Sequence, residues 1–244
     1  RKALWQWQVM DSVKNIRPQY YFPKTKLSSQ LLKRISSKRA GFCDISGQTN
    51  ERTMLSARIP QNVVCGNKVP TVMFPHAREN DELFIDAWIG MVNSFAFDWL
   101  LRRVATTTVN FFILLGLPMP KCTPMSITGR RIATLSKLIS DNPVLSLWQK
   151  AEYRAEIEWL TLKGYSIGFG DMEIILKDFP LLDRGQPPLP GEGRSTITRD
   201  FVLLRTFENN GGAGESRVCA LRRRVDAARS LGAIPYIPSD SGVL

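Results

Sequence analysis

The chain has 244 residues, 43% of them hydrophobic, and carries a formal net charge of +11 from 33 Lys and Arg against 22 Asp and Glu. That length holds one large domain or two small ones with ample core. The basic balance favours a polyanionic partner, nucleic acid first and an acidic membrane surface second. No run approaches the ~18 apolar residues of a membrane span, no signal peptide is expected, and a first residue of Arg suggests a fragment or a processed chain.

The opening stretch RKALWQWQVMDS is dense in tryptophan. Trp5 and Trp7 read either as half-buried packing or as rings that stack on bases. IRPQYYFPKTK follows as an extended loop, where Arg17, Tyr20, Tyr21, Lys24 and Lys26 mix the basic and aromatic groups used in phosphate and base contacts. LSSQLLKRISSKRA predicts a short basic helix with Leu27, Leu31 and Ile35 on one face and Lys33, Arg34, Lys38 and Arg39 around it.

GFCDIS and RTMLSARIP predict two strands joined by the turn-type sequence GQTNE. In the second strand Met54, Ser56 and Arg58 face one way, and Leu55, Ala57 and Ile59 the other. Arg52 and Thr53 stand where that strand begins. The planar fork of Arg52 suits a phosphate or a guanine edge; the competing reading is a turn-stabilising ion pair with a carboxylate such as Asp44. After Pro60, the loop at Gly66, Asn67 and Lys68 offers backbone amides and an ammonium to a phosphate, with TVMF as the next strand.

The stretch from Asp81 to Pro120 opens with what the pattern predicts to be one long buried helix, running to Arg102 and Arg103. Phe84, Trp88, Met91, Phe95 and Trp99 mark one face, and Ile85, Ile89, Val92, Ala96 and Leu100 widen it almost to the full circumference. Arg102 and Arg103 close its dipole-negative end and are expected to project where the helix leaves the core. Thr106, Thr107 and Thr108 follow, then the apolar run FFILLGL and a Pro-Met-Pro stop. Two arginines and three threonines at one edge suit phosphate contact; an ordinary core helix with a solvated end is the other reading.

Beyond Pro120 the chain turns helical. TGRRIATLSKLIS and VLSLWQKAEYRAEIEWLTLKGYS predict helices separated by Asp141-Asn142-Pro143, and GFGDMEIILKDF a third that begins near Asp171. Glu152, Glu156 and Glu158 read as solvated salt-bridge partners, and Glu173 with Lys177 as an i,i+4 pair. RGQPPLPGEGRSTITRD is a Pro/Gly-rich connector, Thr198 opens another helix with Phe201 and Leu204 inward, and NNGGAGES is a linker. SRVCALRRRVDAARSLG is a basic amphipathic helix, whose Arg222, Arg223 and Arg224 suit phosphates or a partner subunit.

Several of these pieces occur together in one family. The "VNSF.FDWLLR" helix, the Thr-rich linker, the "NFF.L..LP.P" finish and the upstream "TNERTMLSARIP" resemble the target recognition region of bacterial adenine-N6 DNA methyltransferases of the single-chain restriction-modification and phage-defence kind. The match is sharp from about Arg39 to Pro120 and continues weakly through AEIEWL to LLDRGQPPLPGE. The resemblance implies a domain that binds double-stranded DNA and positions a methyltransferase core over its adenine. S-adenosylmethionine would belong to that core, on the same polypeptide or a separate subunit, so no cofactor is expected here. It also makes Arg52 and Thr53 motif positions.

Catalytic motifs are not legible. No FxGxG is seen, Asp141-Asn142-Pro143-Val144 lacks the second proline and the aromatic of a base-holding motif, and GxxxxGK[ST] is absent. Cys43, Cys65, Cys122 and Cys219 are widely spaced and read as thiols of a reducing cytoplasm; the lone histidine, His76, leaves no room for a His-based metal site.

The expected fold is α+β: a small, mostly β recognition module over 1–120, closed by the long buried helix, then a helical extension over 121–185 and a connector with basic helices over 186–244. The expected DNA contacts are Arg52, Thr53, Asn67, Lys68, Arg102, Arg103, Thr106, Thr107 and Thr108. No membrane contact is expected. The alternative function is a non-catalytic interaction subunit of a nucleic-acid-targeting defence complex.

Overall fold

The computed structural model describes residues 20–231, apart from 48, 49, 143, 144 and 185. Trp5, Trp7, Arg17, Pro143 and Val144 lie outside the described residues. The architecture mixes many helices with one small sheet. Helix α1 (Ser29–Ser36) starts at Ser28, whose hydroxyl accepts the Leu31 N–H, and buries Ile35. Strands β1 (Arg39–Phe42), β2 (Ser56–Ile59) and β3 (Thr71–Val72) pair antiparallel in the order β2-β1-β3, with Gly41 opposite both Ala57 and Thr71. The module is therefore less β than its sequence suggests. Much of 43–70 is loop, held by side chains rather than by a ladder.

Arginines do much of that holding. Buried Arg39 donates to the carbonyls of Arg34, Ile35 and Val63, closing the C-terminal end of α1. Arg34 donates to the carbonyl and hydroxyl of Thr71 on β3.

The expected single helix is two. Helix α2 (Asp81–Val92) stops at Asn93, and α3 (Phe95–Val104) starts at Ser94, whose hydroxyl accepts the Phe97 N–H. The break is held by a partner distant in the sequence. The Asn93 amide leaves the helix to pair with both backbone groups of Ser56, accepting its N–H at 2.9 Å and donating to its carbonyl at 2.8 Å. Asn93 so fixes α2 to the sheet, while the Ser94 cap redirects the chain.

Helices α4 (Phe111–Leu115), α5 (Ile127–Asp141), α6 (Leu147–Tyr165), α7 (Phe169–Lys177), α8 (Ile197–Asn210) and α9 (Glu215–Ser230) complete the described chain. Helix α6 opens with a reciprocal capping box between Ser146 and Gln149. Helix α2 packs closely on α5: a Cβ at Gly90 would stand 2.5 Å from the Ile132 side chain, so only glycine permits the approach. A core cluster of Phe95, Leu162, Met172, Phe179, Val202 and Val225 then joins α3 to the C-terminal helices. The segment before Pro120 and the helical segment beyond it thus share apolar interior. No described helix is long and apolar enough to cross a membrane.

Candidate nucleic-acid interface

The expected contact residues separate into a buried knot and an exposed edge. Asp98, on the first turns of α3 and fully buried, is the centre of the knot. Its carboxylate accepts from Arg52 Nε at 2.7 Å and from the backbone N–H groups of Thr53 and Met54 at 3.1 to 3.2 Å. Arg52 also donates to the Asn93 carbonyl, and its guanidinium lies 4.1 Å from the Phe95 ring centre. Its partner is therefore Asp98 rather than Asp44. Thr53 is wholly buried. Both residues serve the scaffold: they tie the approach to β2 onto α3.

Arg102 corrects the expectation that both helix-end arginines project. It is buried, stacks 4.1 Å from the Phe179 ring centre, and donates to the carbonyls of Asn50, Glu51 and Asp178. Burial lowers its pKa, opposed by the charge of Asp98. Arg103 does reach the surface, over the Trp99 ring and paired with Asp178.

Asn67, Lys68, Thr106, Thr107 and Thr108 are all exposed, and one short segment brings them together. Past the end of β1, the Asp44 N–H donates to the Lys68 carbonyl at 3.1 Å. On its other side, the Asp44 carbonyl accepts the Val109 N–H at 2.7 Å and the Ser46 N–H donates to the Thr107 carbonyl at 3.2 Å. Ile45 and Thr108 form an antiparallel bridge. Residues 44–46 therefore run between the Gly-Asn-Lys loop and the threonine segment. The resulting edge carries an ammonium, a carboxamide and three hydroxyls, with Lys68 lying 3.5 Å from Asp44. Exposed rings border it in sequence: Phe112 on α4 is 88% accessible.

Sequence reasoning missed the third feature. Glu158 was expected to be a solvated partner, but it is buried, and both its oxygens lie 2.9 Å from the Phe95 N–H at the start of α3. Burial pushes its pKa up to about 8, against the pull of Arg52. The neighbouring acids behave as expected: Glu152 pairs with Arg229 and Glu156 with Arg131. Glu173 pairs with Arg217 rather than with Lys177. Among the described residues no group of His, Cys, Asp and Glu is placed to hold a metal ion. No family model, curated protein or solved structure matches the chain.

Proposed function

We propose that this chain is the double-stranded-DNA recognition part of an adenine-N6 DNA methyltransferase. The observation that carries the reading is the seating of residues 44–46 between Lys68 and Thr107–Val109, which gathers exposed hydrogen-bond donors on one edge of a chain of formal charge +11. Hydroxyls, amides and ammonium groups are the donors that phosphate oxygens accept, and such contacts set register and orientation on a duplex. Arg103 adds a cation at the end of α3. In this reading Arg52, Thr53 and Arg102 hold the edge in place and do not touch DNA. The sequence resemblance supplies the rest: a methyltransferase core, holding S-adenosylmethionine, receives the target adenine after it is flipped from the duplex.

The test is selection from a randomised duplex library at two salt concentrations, with sequencing of the bound fraction. Binding is expected to weaken steeply with salt, as counterion release requires. Replacing Lys68 by Ala should weaken binding on all sequences alike and reduce the log–log salt slope by about one. No binding at either salt would sink the reading. It would favour the non-catalytic interaction subunit, for which the exposed Phe112 and Leu115 of α4, 88% and 84% accessible, are the supporting observation.

A further inference from the structure

A cleft of about 760 Å³ lies between the sheet and helices α2, α5 and α6, within the roughly 300–1,000 Å³ of small-molecule sites. Phe42, Met54, Ile89, Ile139 and Ile157 give it apolar walls. One turn of α6 sends Arg154, Ile157 and Glu158 into its lining. Arg154 lines the cleft and is exposed to solvent within it.

Its surroundings differ from those of the other interior arginines. Arg52 and Arg58 are held by Asp98 and Asp86, and Arg102 by three backbone carbonyls. Among the described residues, no carboxylate comes within ion-pair distance of Arg154 and no carbonyl accepts from it. Burial pushes the pKa of Glu158, one turn along, up to about 8, so at neutral pH it offsets only part of the Arg154 charge. Glu51 and Asp183 act on it only at longer range. Burial depresses the Arg154 pKa, but a guanidinium stays charged in proteins. A guanidinium without a carboxylate partner can take an anion that enters the cleft, and the low-dielectric apolar walls strengthen that attraction. A single positive charge suits a monoanion, and the planar fork matches a carboxylate through two parallel hydrogen bonds.

We infer that this cleft binds a small organic acid, its carboxylate on the Arg154 guanidinium and its apolar body against half-buried lining residues such as Ile59, Val69 and Ile139. The site is separate from the proposed DNA edge, because Asn67, Lys68 and Thr106–Thr108 are not among the residues that line it. It stands whether or not the chain binds DNA.

The experiment is a fluorine NMR screen of the full chain against a set of fluorinated carboxylic acids, their matched primary amides and their matched phosphonates. At least one acid should bind saturably, at least tenfold more tightly than its amide and its phosphonate. Arg154→Gln should abolish the preference for acid over amide, and Arg154→Lys should keep part of it. No bound acid, an amide or phosphonate bound as tightly, or a preference that survives in Arg154→Gln would overturn the inference. The acid–amide comparison on the unaltered chain decides the matter even where the Gln variant fails to fold.

Discussion

Arginine has two opposite uses in the molecule, one best seen in the sheet-bearing half and the other on the surface of the helical half. In the helical half Arg199 and Arg224 nevertheless also turn inward, to the Leu176 carbonyl and to Asp200. In the sheet-bearing half, Arg39, Arg52 and Arg102 are turned inward and donate to carbonyls or to a buried carboxylate, where the loops of 43–70 have few ladder bonds. In the helical half, Arg217 and Arg229 lie on the surface and join one helix to another through Glu173 and Glu152. Helices satisfy their own backbone, so the second group adds little; loops do not, so the first group replaces missing secondary structure. A formal charge is therefore a poor count of the cations free to meet a polyanion.

The largest effect should come from the centre of the knot. Asp98→Ala leaves Arg52 without its carboxylate and two buried N–H groups without an acceptor, a loss of about 3–5 kcal/mol for a broken buried pair. Urea unfolding measures it, and a loss below about 1 kcal/mol would erase the contrast between the halves.

Next comes a pH effect from Glu158. Its carboxyl group keeps its proton to about pH 8 in the folded chain, whereas an ordinary Glu ionises near 4.5. Folding therefore takes up a proton between those values. The stabilisation is complete below 4.5 and is lost as pH rises through 8. Glu158→Gln should remove this slope, so that the variant gains roughly 10 °C in Tm over the parent between pH 5 and pH 9. Asp86, Asp183 and Asp200 are also raised by burial, but they are common to both proteins and cancel in the comparison. Parallel Tm curves for the two proteins would show that Glu158 titrates as an exposed acid.

The smallest effect belongs to the surface. Arg229→Ala breaks an exposed pair with Glu152 and should cost about 0.5 kcal/mol, largely removed by salt. A cost near that of Asp98→Ala would mean that the helical half also depends on its arginines.

Much of the fold could be read along the chain, and for physical reasons. Helices α1, α5, α6, α8 and α9 carry caps or amphipathic repeats within their own sequence, and the alternation about β2 separates Met54 from Leu55, although only the fold turns Met54 inward and leaves Leu55 outside. What escaped depends on distant partners. The apolar pattern runs unbroken across Asn93 and Ser94, and only Ser56, far away in sequence, turns Asn93 out of the helix. Arg102 looks like any helix-end arginine until Phe179 and the Asn50 and Glu51 carbonyls arrive around it. Glu158 likewise stands in a run of acids of which the others pair with surface arginines. Of the expected contacts, the sequence identified the donor-rich loops, while tertiary packing decided which of them remain accessible.

The side chains of Asn93 and Arg34 have one more effect. The Cys43 N–H donates to the Leu55 carbonyl and the Phe42 N–H to the Pro70 carbonyl, so the next residues, Ser56 and Thr71, turn their backbone groups away from β1. The Ser56 N–H and carbonyl are taken by the Asn93 amide on one rim of the sheet, and the Thr71 carbonyl by the Arg34 guanidinium on the other. Open strand rims recruit strands from other chains and seed fibrils. Here each rim is closed by a side chain from a helix, and removing both should turn a quiet sheet into a template for self-association.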